Sequence, residues 1–174
     1  MLINLTDVFS SEGKVKEIEV PYEAEMFNCG TGAFLIIEKM PVSFKLSNIG
    51  NAKALVEGQG RLILEIPCDR CLKPVREEVS FSFAHEVMSP DGNMEESDEE
   101  MQSFMDGYEL DVEDLIFNEI IINMPVKVLC RPDCKGICRV CGADLNAGDC
   151  GCDTFVPDPR MAAIKDIFNA NKEV

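Results

Sequence analysis

The stretch RLILEIPCDRCLKPVREEVSFSFA, residues 61–84, decides the fold. Apolar residues alternate across Arg61–Ile66 and again across Val75–Ala84, and a period of two is typical of β-strands that bury one face. Between the two runs lie Cys68 and Cys71, in a connection too short for a crossover. Because short connections join antiparallel neighbours, we expect an antiparallel pair of strands with both thiols at its turn.

Three further runs extend the β pattern towards the N-terminus. Val15–Val20 and Val42–Leu46 alternate in the same way. Ala54–Glu57 precedes Gly58-Gln59-Gly60, which we expect to form a tight turn or a bulge before the next strand.

One main helix follows, at about residues 112–124. Asp111 is suited to cap an acidic first turn, and apolar residues recur at helical spacing until Pro125 ends the pattern. A second, short helix is expected after Asp158-Pro159, an N-cap followed by proline at the first helical position.

These patterns predict an α+β protein: an antiparallel β-sheet that could close into a barrel, one main helix, and a cysteine-rich zinc-binding C-terminal segment that ends in a short helix. Residues 1–129 are expected to form a β-rich domain, with an acidic loop at 86–111 and the helix at about 112–124. Residues 130–174 are expected to form the zinc-binding segment and the C-terminal helix, packed on the first part as one unit.

The chain of 174 residues carries 16 basic and 32 acidic residues, for a net charge of -16. That balance argues at first against a partner made of phosphates. However, 13 of the acidic residues fall between Glu86 and Glu119, where there is no lysine or arginine, and the rest of the chain is nearly neutral. We expect the acidic run to be a solvated loop, with docking of a basic protein as its functional alternative.

Several classes of protein are disfavoured by what the sequence lacks. It has no run of about 18 apolar residues, no signal-peptide pattern at its start and no glycine-rich phosphate loop. The single histidine, His85, leaves little room for a Ser-His-Asp or Cys-His arrangement and is expected to be an ordinary surface or boundary residue. We therefore expect a cytoplasmic protein that is not an enzyme.

Eight of the nine cysteines fall into close pairs, and these are the most informative residues of the chain. Thiols in the cytoplasm stay reduced, so clustered cysteines there more often bind metal than form disulfides. Zinc takes four tetrahedral ligands, and four pairs therefore suit two zinc sites of four cysteines each, with an iron–sulfur cluster as the alternative. The candidate ligands are Cys68, Cys71, Cys130, Cys134, Cys138, Cys141, Cys150 and Cys152.

The spacing leaves open how the four pairs divide between two sites. In one assignment the last two pairs form a local zinc knuckle and the first two form the other site; the competing assignment exchanges the second and third pairs. A redox role for Cys68 and Cys71 is disfavoured because Pro74 and a β pattern follow them, rather than the helix start that lowers a thiol pKa. Cys29 is expected to be a thiol outside both sites.

Basic residues gather near the first two cysteine pairs. Their positive charges could contact phosphates, or could simply neutralise the thiolates. The RNA-binding candidates are Arg70, Lys73, Arg76, Lys127, Arg131, Lys135 and Arg139. Aromatic side chains that could stack on bases are scarce in this region, so sequence-specific reading of single strands is not predicted.

Five motifs, taken together, are similar to those of one known family. They are Cys68-Asp69-Arg70-Cys71-Leu72, Asn123-Met124-Pro125-Val126-Lys127-Val128-Leu129-Cys130, Cys134-Lys135-Gly136-Ile137-Cys138-Arg139-Val140-Cys141-Gly142-Ala143-Asp144-Leu145-Asn146, Cys150-Gly151-Cys152 and Asp158-Pro159-Arg160. They resemble the YceD-like family, the large ribosomal RNA subunit accumulation proteins, which are also described as predicted metal-binding and nucleic-acid-binding proteins. The resemblance covers about Val42 to Phe168; its cysteine-rich part is specific and its N-terminal strands are not.

The resemblance implies a non-enzymatic role in the accumulation or processing of large-subunit ribosomal RNA, hence in ribosome assembly. Some relatives keep only the first Cys-x-x-Cys and a ligand pair after the helix, which favours Cys68 and Cys71 with Cys130 and Cys134 as the shared site. The four later cysteines would be an added site. Arg139 stands where many relatives have proline, which adds a positive charge.

Two main functional hypotheses result. The first is a zinc-binding ribosome-biogenesis factor that binds pre-rRNA or a ribosomal protein of the large subunit. The alternative is a structural zinc adaptor that binds only protein partners, through its acidic loop. An RNA-processing enzyme is a third hypothesis, which is disfavoured because the sequence shows no recognisable set of catalytic residues. Neither a small-molecule substrate nor a membrane is expected as a partner.

Overall fold

The computed structural model describes residues 1–30, 32–92 and 101–153 of the chain. The chain divides into two compact units: Met1–Cys68 with Lys73–Val128, and Asp69–Leu72 with the chain from Leu129 onward. Asp69–Leu72, within the first cysteine turn, thus group with the second unit. That the second part packs on the first as one unit stays a prediction.

The first unit is built mainly of β-strands. Its elements are β1 (Leu2–Asn4), α1 (Thr6–Phe9), β2 (Val15–Val20), β3 (Met26–Cys29), β4 (Gly32–Lys39), β5 (Val42–Gly50), β6 (Lys53–Pro67), β7 (Pro74–Met88), a 3₁₀ helix (Met101–Phe104), β8 (Met105–Asp106), β9 (Glu109–Asp111) and α2 (Val112–Asn123). The predicted mixture of antiparallel strands with one main helix is confirmed, whereas β1, β3, β4, β8, β9 and α1 were not predicted. Over the described ranges, no helix is both long and apolar enough to cross a membrane.

β6 is the strand on which the larger sheet is built. β7 lies antiparallel along its whole length, from the pair Lys53↔Met88 to the pair Pro67↔Pro74. The other edge of β6 is shared, since β5 pairs with its first half and β4 with its second half. β2 and β3 complete the six strands beyond β5 and β4. Within the described residues no strand pairing closes this sheet, so the expectation of a barrel is wrong.

The turn predicted at Gly58-Gln59-Gly60 is also wrong, because all three residues lie inside β6. Across the ladder, Gly58 pairs with Phe83 and Gly60 pairs with Phe81. A β-carbon on Gly58 would come within 2.3 Å of the Phe83 ring, and one on Gly60 within 2.4 Å of the Phe81 ring. The glycines therefore make room for two aromatic rings, which replace the missing side chains as packing on the strand.

α2 begins and ends where the sequence predicts. The Asp111 carboxylate accepts hydrogen bonds from the backbone N–H groups of Glu113 and Asp114, at 3.0 and 3.4 Å. The helix ends at Asn123, ahead of Pro125. Its apolar face belongs to the same hydrophobic cluster as the inner side chains of the sheet. The largest fully buried members of that cluster are Leu5, Phe27, Phe44, Leu46, Leu64, Leu110, Leu115, Ile116 and Ile120.

Regular structure enters the predicted acidic loop, 86–111, from both ends. β7 continues to Met88 because its last residues complete the ladder with the start of β6. Residues 101–111 form the 3₁₀ helix, β8 and β9, and β9 pairs with β1 in a separate three-stranded sheet. The acidic block at 95–100 and the expected C-terminal helix lie outside the described residues.

His85 lies at the boundary between solvent and core, as expected, and it is paired with a buried acid. Its Nε2 atom is 2.8 Å from Oε1 of Glu119 on α2, whose side chain is 7% exposed. The imidazole also stacks on the Phe83 ring, with 5.3 Å between the ring centroids. This polar contact joins α2 to β7 beside the apolar side chains that pack between them.

We expect the loss of one partner to destabilise the protein more than the loss of both. His85→Phe should lower the free energy of unfolding by about 1–3 kcal/mol, because it leaves the Glu119 carboxyl group buried without its partner. Replacing both residues, in His85→Phe/Glu119→Leu, should recover most of that loss. Urea denaturation followed by circular dichroism measures both effects, and a double variant that is as unstable as the single one would contradict this explanation.

Candidate metal centres

The structure groups the eight paired cysteines into two sets of four. The first tetrad is Cys68, Cys71, Cys130 and Cys134; the second tetrad is Cys138, Cys141, Cys150 and Cys152. In each tetrad all four sulfur atoms lie within 4.8 Å of one another. This is the division that the resemblance favours, and the exchange of the second and third pairs matches neither set. Cys29 belongs to neither tetrad.

The turn between β6 and β7 presents the first two thiols. The backbone N–H of Cys68 donates to the carbonyl of Lys73 at 2.8 Å, which closes the turn at its base. Leu72 has a φ of 60°, a left-handed conformation that reverses the chain directly after Cys71. Cys71 Sγ then lies 3.5 Å from Cys130 Sγ. The antiparallel pairing therefore determines where this half of the first tetrad lies.

Arg70 joins the cysteine turn to the segment that carries Cys134. Its Nη1 donates to the Cys134 carbonyl at 2.6 Å, and its own carbonyl accepts from the N–H of Ile137 at 3.1 Å. Gly136 lies between these contacts with a φ of 83°, and a β-carbon on it would come within 2.8 Å of the Arg70 carbonyl oxygen. Glycine is the residue that allows this close approach of two backbones. Hydrogen bonds therefore hold these segments together in addition to any shared metal.

The second tetrad begins with a turn of the same kind. The N–H of Gly142 donates to the Cys138 carbonyl at 2.9 Å, and the N–H of Val140 donates to Cys138 Sγ at 3.4 Å. Gly142 follows the second cysteine with a φ of 74°, as Leu72 does in the first turn. Both Cys-x-x-Cys turns thus reverse through a left-handed residue.

In the part of the second unit that the structure describes, cysteine side chains are buried where the first unit buries apolar ones. The hydrophobic cluster described above belongs entirely to the first unit. In the described part of the second unit, the buried side chains are those of Cys71, Cys134 and Cys138. Because these described residues bury few apolar side chains, a metal ion bound by the cysteines would stabilise their fold.

The thiols of the second tetrad differ in their affinity for protons. Hydrogen bonds from the backbone N–H groups of Cys141 and Val140 lower the pKa of the Cys138 thiol to about 6. The neighbouring Cys141 side chain raises the pKa of Cys152 to about 12. Cys138 therefore gives up its proton more readily than Cys152. Binding of one cation by all four sulfur atoms would release protons, so acid should weaken it.

Asn146 is a residue of the site that sequence reasoning missed. Burial raises the pKa of Cys134, but hydrogen bonds from the Asn146 side chain and the Gly136 backbone outweigh it, so the pKa is lowered. The Asn146 Nδ2 atom lies 3.5 Å from Cys134 Sγ. Asn146 lies inside a motif that carries the family resemblance, yet a carboxamide that bonds to a thiol has no characteristic spacing by which to recognise it.

Each tetrad suits a single tetrahedral metal ion. A Zn–S bond of about 2.3 Å places the sulfur atoms of a four-thiolate site roughly 3.8 Å apart. The sulfur atoms of each tetrad already lie within 4.8 Å of one another. The two tetrads could therefore each hold one metal ion.

The basic candidates for RNA contact are all exposed. The second unit carries Arg70, Arg131, Lys135 and Arg139, and the first unit carries Lys73, Arg76 and Lys127. Arg70 bonds to the Cys134 carbonyl, and Arg131 Nη2 donates to Asn146 Oδ1 at 2.8 Å, so both also have structural contacts. That the seven converge on one patch, and that they contact RNA, stays a prediction.

A family model and several curated proteins are similar to this chain. The family model for the large ribosomal RNA subunit accumulation protein YceD matches residues 56–168. Uncharacterized proteins of Mycobacterium tuberculosis strain H37Rv and of Mycobacterium bovis are each 31% identical over 107 residues, which is 61% of this chain and 51% of theirs. The chloroplastic large ribosomal RNA subunit accumulation protein YCED homolog 1 of Arabidopsis thaliana is 23% identical over 175 residues, which is 84% of this chain and 52% of its own. The chain spans about half the length of the curated relatives it matches, and no solved structure matches it.

We expect each tetrad to hold its own metal ion. Cys71→Ser and Cys141→Ser should each lower the metal content of the purified chain from about two ions to about one, because a hydroxyl group replaces a thiolate ligand. Cys29→Ser is the matched control outside both tetrads, and it should leave the metal content unchanged. Inductively coupled plasma mass spectrometry measures the content, and equal values for all three variants would contradict the two-site arrangement.

Proposed function

Because this chain belongs to the YceD family of large ribosomal RNA subunit accumulation proteins, we propose that it is a ribosome-biogenesis factor that supports the accumulation or processing of large-subunit ribosomal RNA. It acts in the cytoplasm as a binding protein rather than as an enzyme. The family name denotes the accumulation of an RNA and not a chemical reaction. The observation that carries the proposal is the match over residues 56–168, which includes both cysteine tetrads.

We assign the metal as zinc, with one ion in each tetrad and the eight cysteines as ligands. Four thiolates around one closed tetrahedral position are a usual arrangement of structural zinc. A four-iron cluster binds its thiolates at separate irons and needs the sulfur atoms further apart than a single ion does. Zinc has no redox chemistry of its own, which suits a site whose work is to fold the second unit.

The purified protein should therefore contain about two zinc ions per chain and be colourless. Substitution by Co²⁺ should produce the intense charge-transfer absorption of a tetrahedral tetrathiolate site, because Co²⁺ accepts the same ligand geometry as zinc. Elemental analysis and visible absorption spectroscopy check both statements. A brown protein that contains iron and inorganic sulfide would contradict the assignment.

The proposed partner is pre-ribosomal RNA, contacted by exposed basic side chains. Lys135 and Arg139 are the best candidates, since their side chains lie on the surface and make no hydrogen bond or ion pair with any other described residue. Each zinc site with four thiolates carries a charge of about -2. We therefore infer that the protein contacts RNA locally, through single lysine and arginine side chains at phosphates. Binding of RNA then does not require a positive potential over the whole chain.

A second candidate function is that of a protein adaptor, which the charge of the chain favours. The net charge is -16, and 13 of the 32 acidic residues lie between Glu86 and Glu119. Such an excess of negative charge attracts a basic ribosomal protein and repels an RNA backbone. In this version both zinc sites are structural, and the partner is a ribosomal protein of the large subunit.

Reversing two charges on the second unit should separate these functions. Lys135→Glu/Arg139→Glu should reduce ultraviolet crosslinking of the protein to large-subunit ribosomal RNA in cells at least severalfold, because it replaces attraction to phosphates by repulsion. The zinc content should stay unchanged, since neither side chain bonds to a cysteine among the described residues.

Lys14→Glu/Lys16→Glu is the matched control, with the same change of charge at the edge of β2, and its crosslinking to RNA should match that of the unmodified chain. Equal crosslinking of the two double variants would argue against RNA contact at Lys135 and Arg139. Capture of ribosomal proteins without any enrichment of large-subunit RNA would overturn RNA binding in favour of the adaptor.

A further inference from the structure

We propose that the two tetrads are energetically coupled through Asn146, so that a metal ion in one tetrad strengthens the binding of a metal ion in the other. The inference rests on the proposed metal binding and goes beyond it, because two sites on one chain could equally well fill independently. It concerns the loop between the second and third cysteines of the second tetrad, residues 142–149.

The two tetrads share a short backbone segment. Cys134 of the first tetrad and Cys138 of the second are separated by three residues. The N–H of Leu145 donates to the Gly136 carbonyl at 3.0 Å, and the N–H of Cys138 donates to the Ala143 carbonyl at 2.8 Å. The shared segment is therefore bonded along its length to the loop at 142–149.

Asn146 carries this loop into contact with the first tetrad. Its Oδ1 accepts hydrogen bonds from the N–H of Lys135 and from Arg131 Nη2, each at 2.8 Å. These two donors fix the orientation of the carboxamide and direct its Nδ2 group towards Cys134 Sγ, at 3.5 Å. Asn146 therefore donates to a first-tetrad thiolate from a loop that belongs to the second tetrad.

The position of Asn146 depends in turn on the second tetrad. Asp144 Oδ1 accepts from both the backbone N–H and the Nδ2 group of Asn146, at 2.9 and 2.7 Å. The loop that holds these groups runs from Cys141 to Cys150, and a metal ion bound by both cysteines would close it. With the loop closed, the chain entropy lost in placing Asn146 against Cys134 is already lost, so metal binding at the first tetrad is strengthened.

The direction and the size of the effect follow from general chemistry. A hydrogen bond to a thiolate stabilises its charged, metal-binding form, and loss of such outer partners typically weakens metal binding by about 10–100-fold. Coupling is reciprocal, because each ion changes the affinity of the other by the same factor. We therefore expect the affinity of each tetrad to rise by about tenfold or more when the other is filled.

A thermodynamic cycle tests the proposal with zinc and a competing chelator. Cys141→Ser/Cys152→Ser leaves only the first tetrad, and Cys68→Ser/Cys71→Ser leaves only the second, so each variant reports one site by itself. In the unmodified chain, the association constant for both ions together should exceed the product of the two single-site constants by about tenfold or more. Equality of the two quantities would overturn the coupling.

In the full chain, Asn146→Ala should reduce the ratio of the two-ion constant to the product of the single-site constants to about one. The single-site constant of the second tetrad should stay within about twofold of its value without the substitution. Asn146→Asp keeps the size of the side chain but turns the donor into a carboxylate, and should reduce the excess as well. Asn118→Ala, at a half-buried position on α2 outside both tetrads, is the matched control and should preserve the excess. An excess that survives both Asn146 substitutions would overturn the role of Asn146.

The outcomes separate this inference from the proposed function. If the unmodified chain binds no zinc, the metal assignment itself fails. If it binds two zinc ions with independent constants, the metal assignment stands and the coupling is wrong. Circular dichroism of each variant verifies that the β-rich unit stays folded, so that a lost affinity is not the result of global unfolding.

Discussion

The ladder between β6 and β7 is the constraint on which the rest of the structure depends. Its register is continuous from Lys53↔Met88 to Pro67↔Pro74, so a single alignment sets both ends of the pair. At one end it brings His85 to Glu119 on α2, and at the other it sets the turn that carries Cys68 and Cys71. A slip of one residue would exchange the inner and outer faces of both strands. The core and the first cysteine pair therefore share one alignment.

Structure could be predicted from the sequence wherever one local pattern determines it. Alternation at 15–20, the cap at Asp111 and the pairing of cysteines each have a short-range physical cause, and each is found as expected. Prediction from the sequence failed where residues distant in the chain override a local signal. Gly58 and Gly60 are strand breakers by themselves, and only the rings of Phe81 and Phe83 on the next strand make them suitable for β6. The short strands β1, β8 and β9 have too few residues to show a period.

The same distinction applies to the cysteine sites. Close spacing predicted which cysteines lie together, because a short turn brings two thiols to one side of the chain. It did not predict what holds these cysteines in place. Arg70 was assigned to RNA contact from its charge, yet its guanidinium donates to the Cys134 carbonyl, and Asn146 was assigned nothing. Hydrogen bonds from long or amide side chains to a backbone leave no regular spacing, so only three-dimensional structure reveals them.

The contrast between an apolar core in one unit and sulfur in the other has an evolutionary consequence. In the first unit stability is spread over many apolar side chains, and one of them can replace another at modest cost. In the described part of the second unit the buried side chains are a few thiols, and replacing one of them by an apolar side chain or a hydroxyl group removes the thiolate altogether. Apart from residues that bond to the backbone or to a thiol, such as Arg70 and Asn146, the exposed positions between those thiols contribute little to folding. Substitutions can therefore accumulate at these exposed positions far more readily than at the cysteines, so this segment can change its surface without losing its thiols.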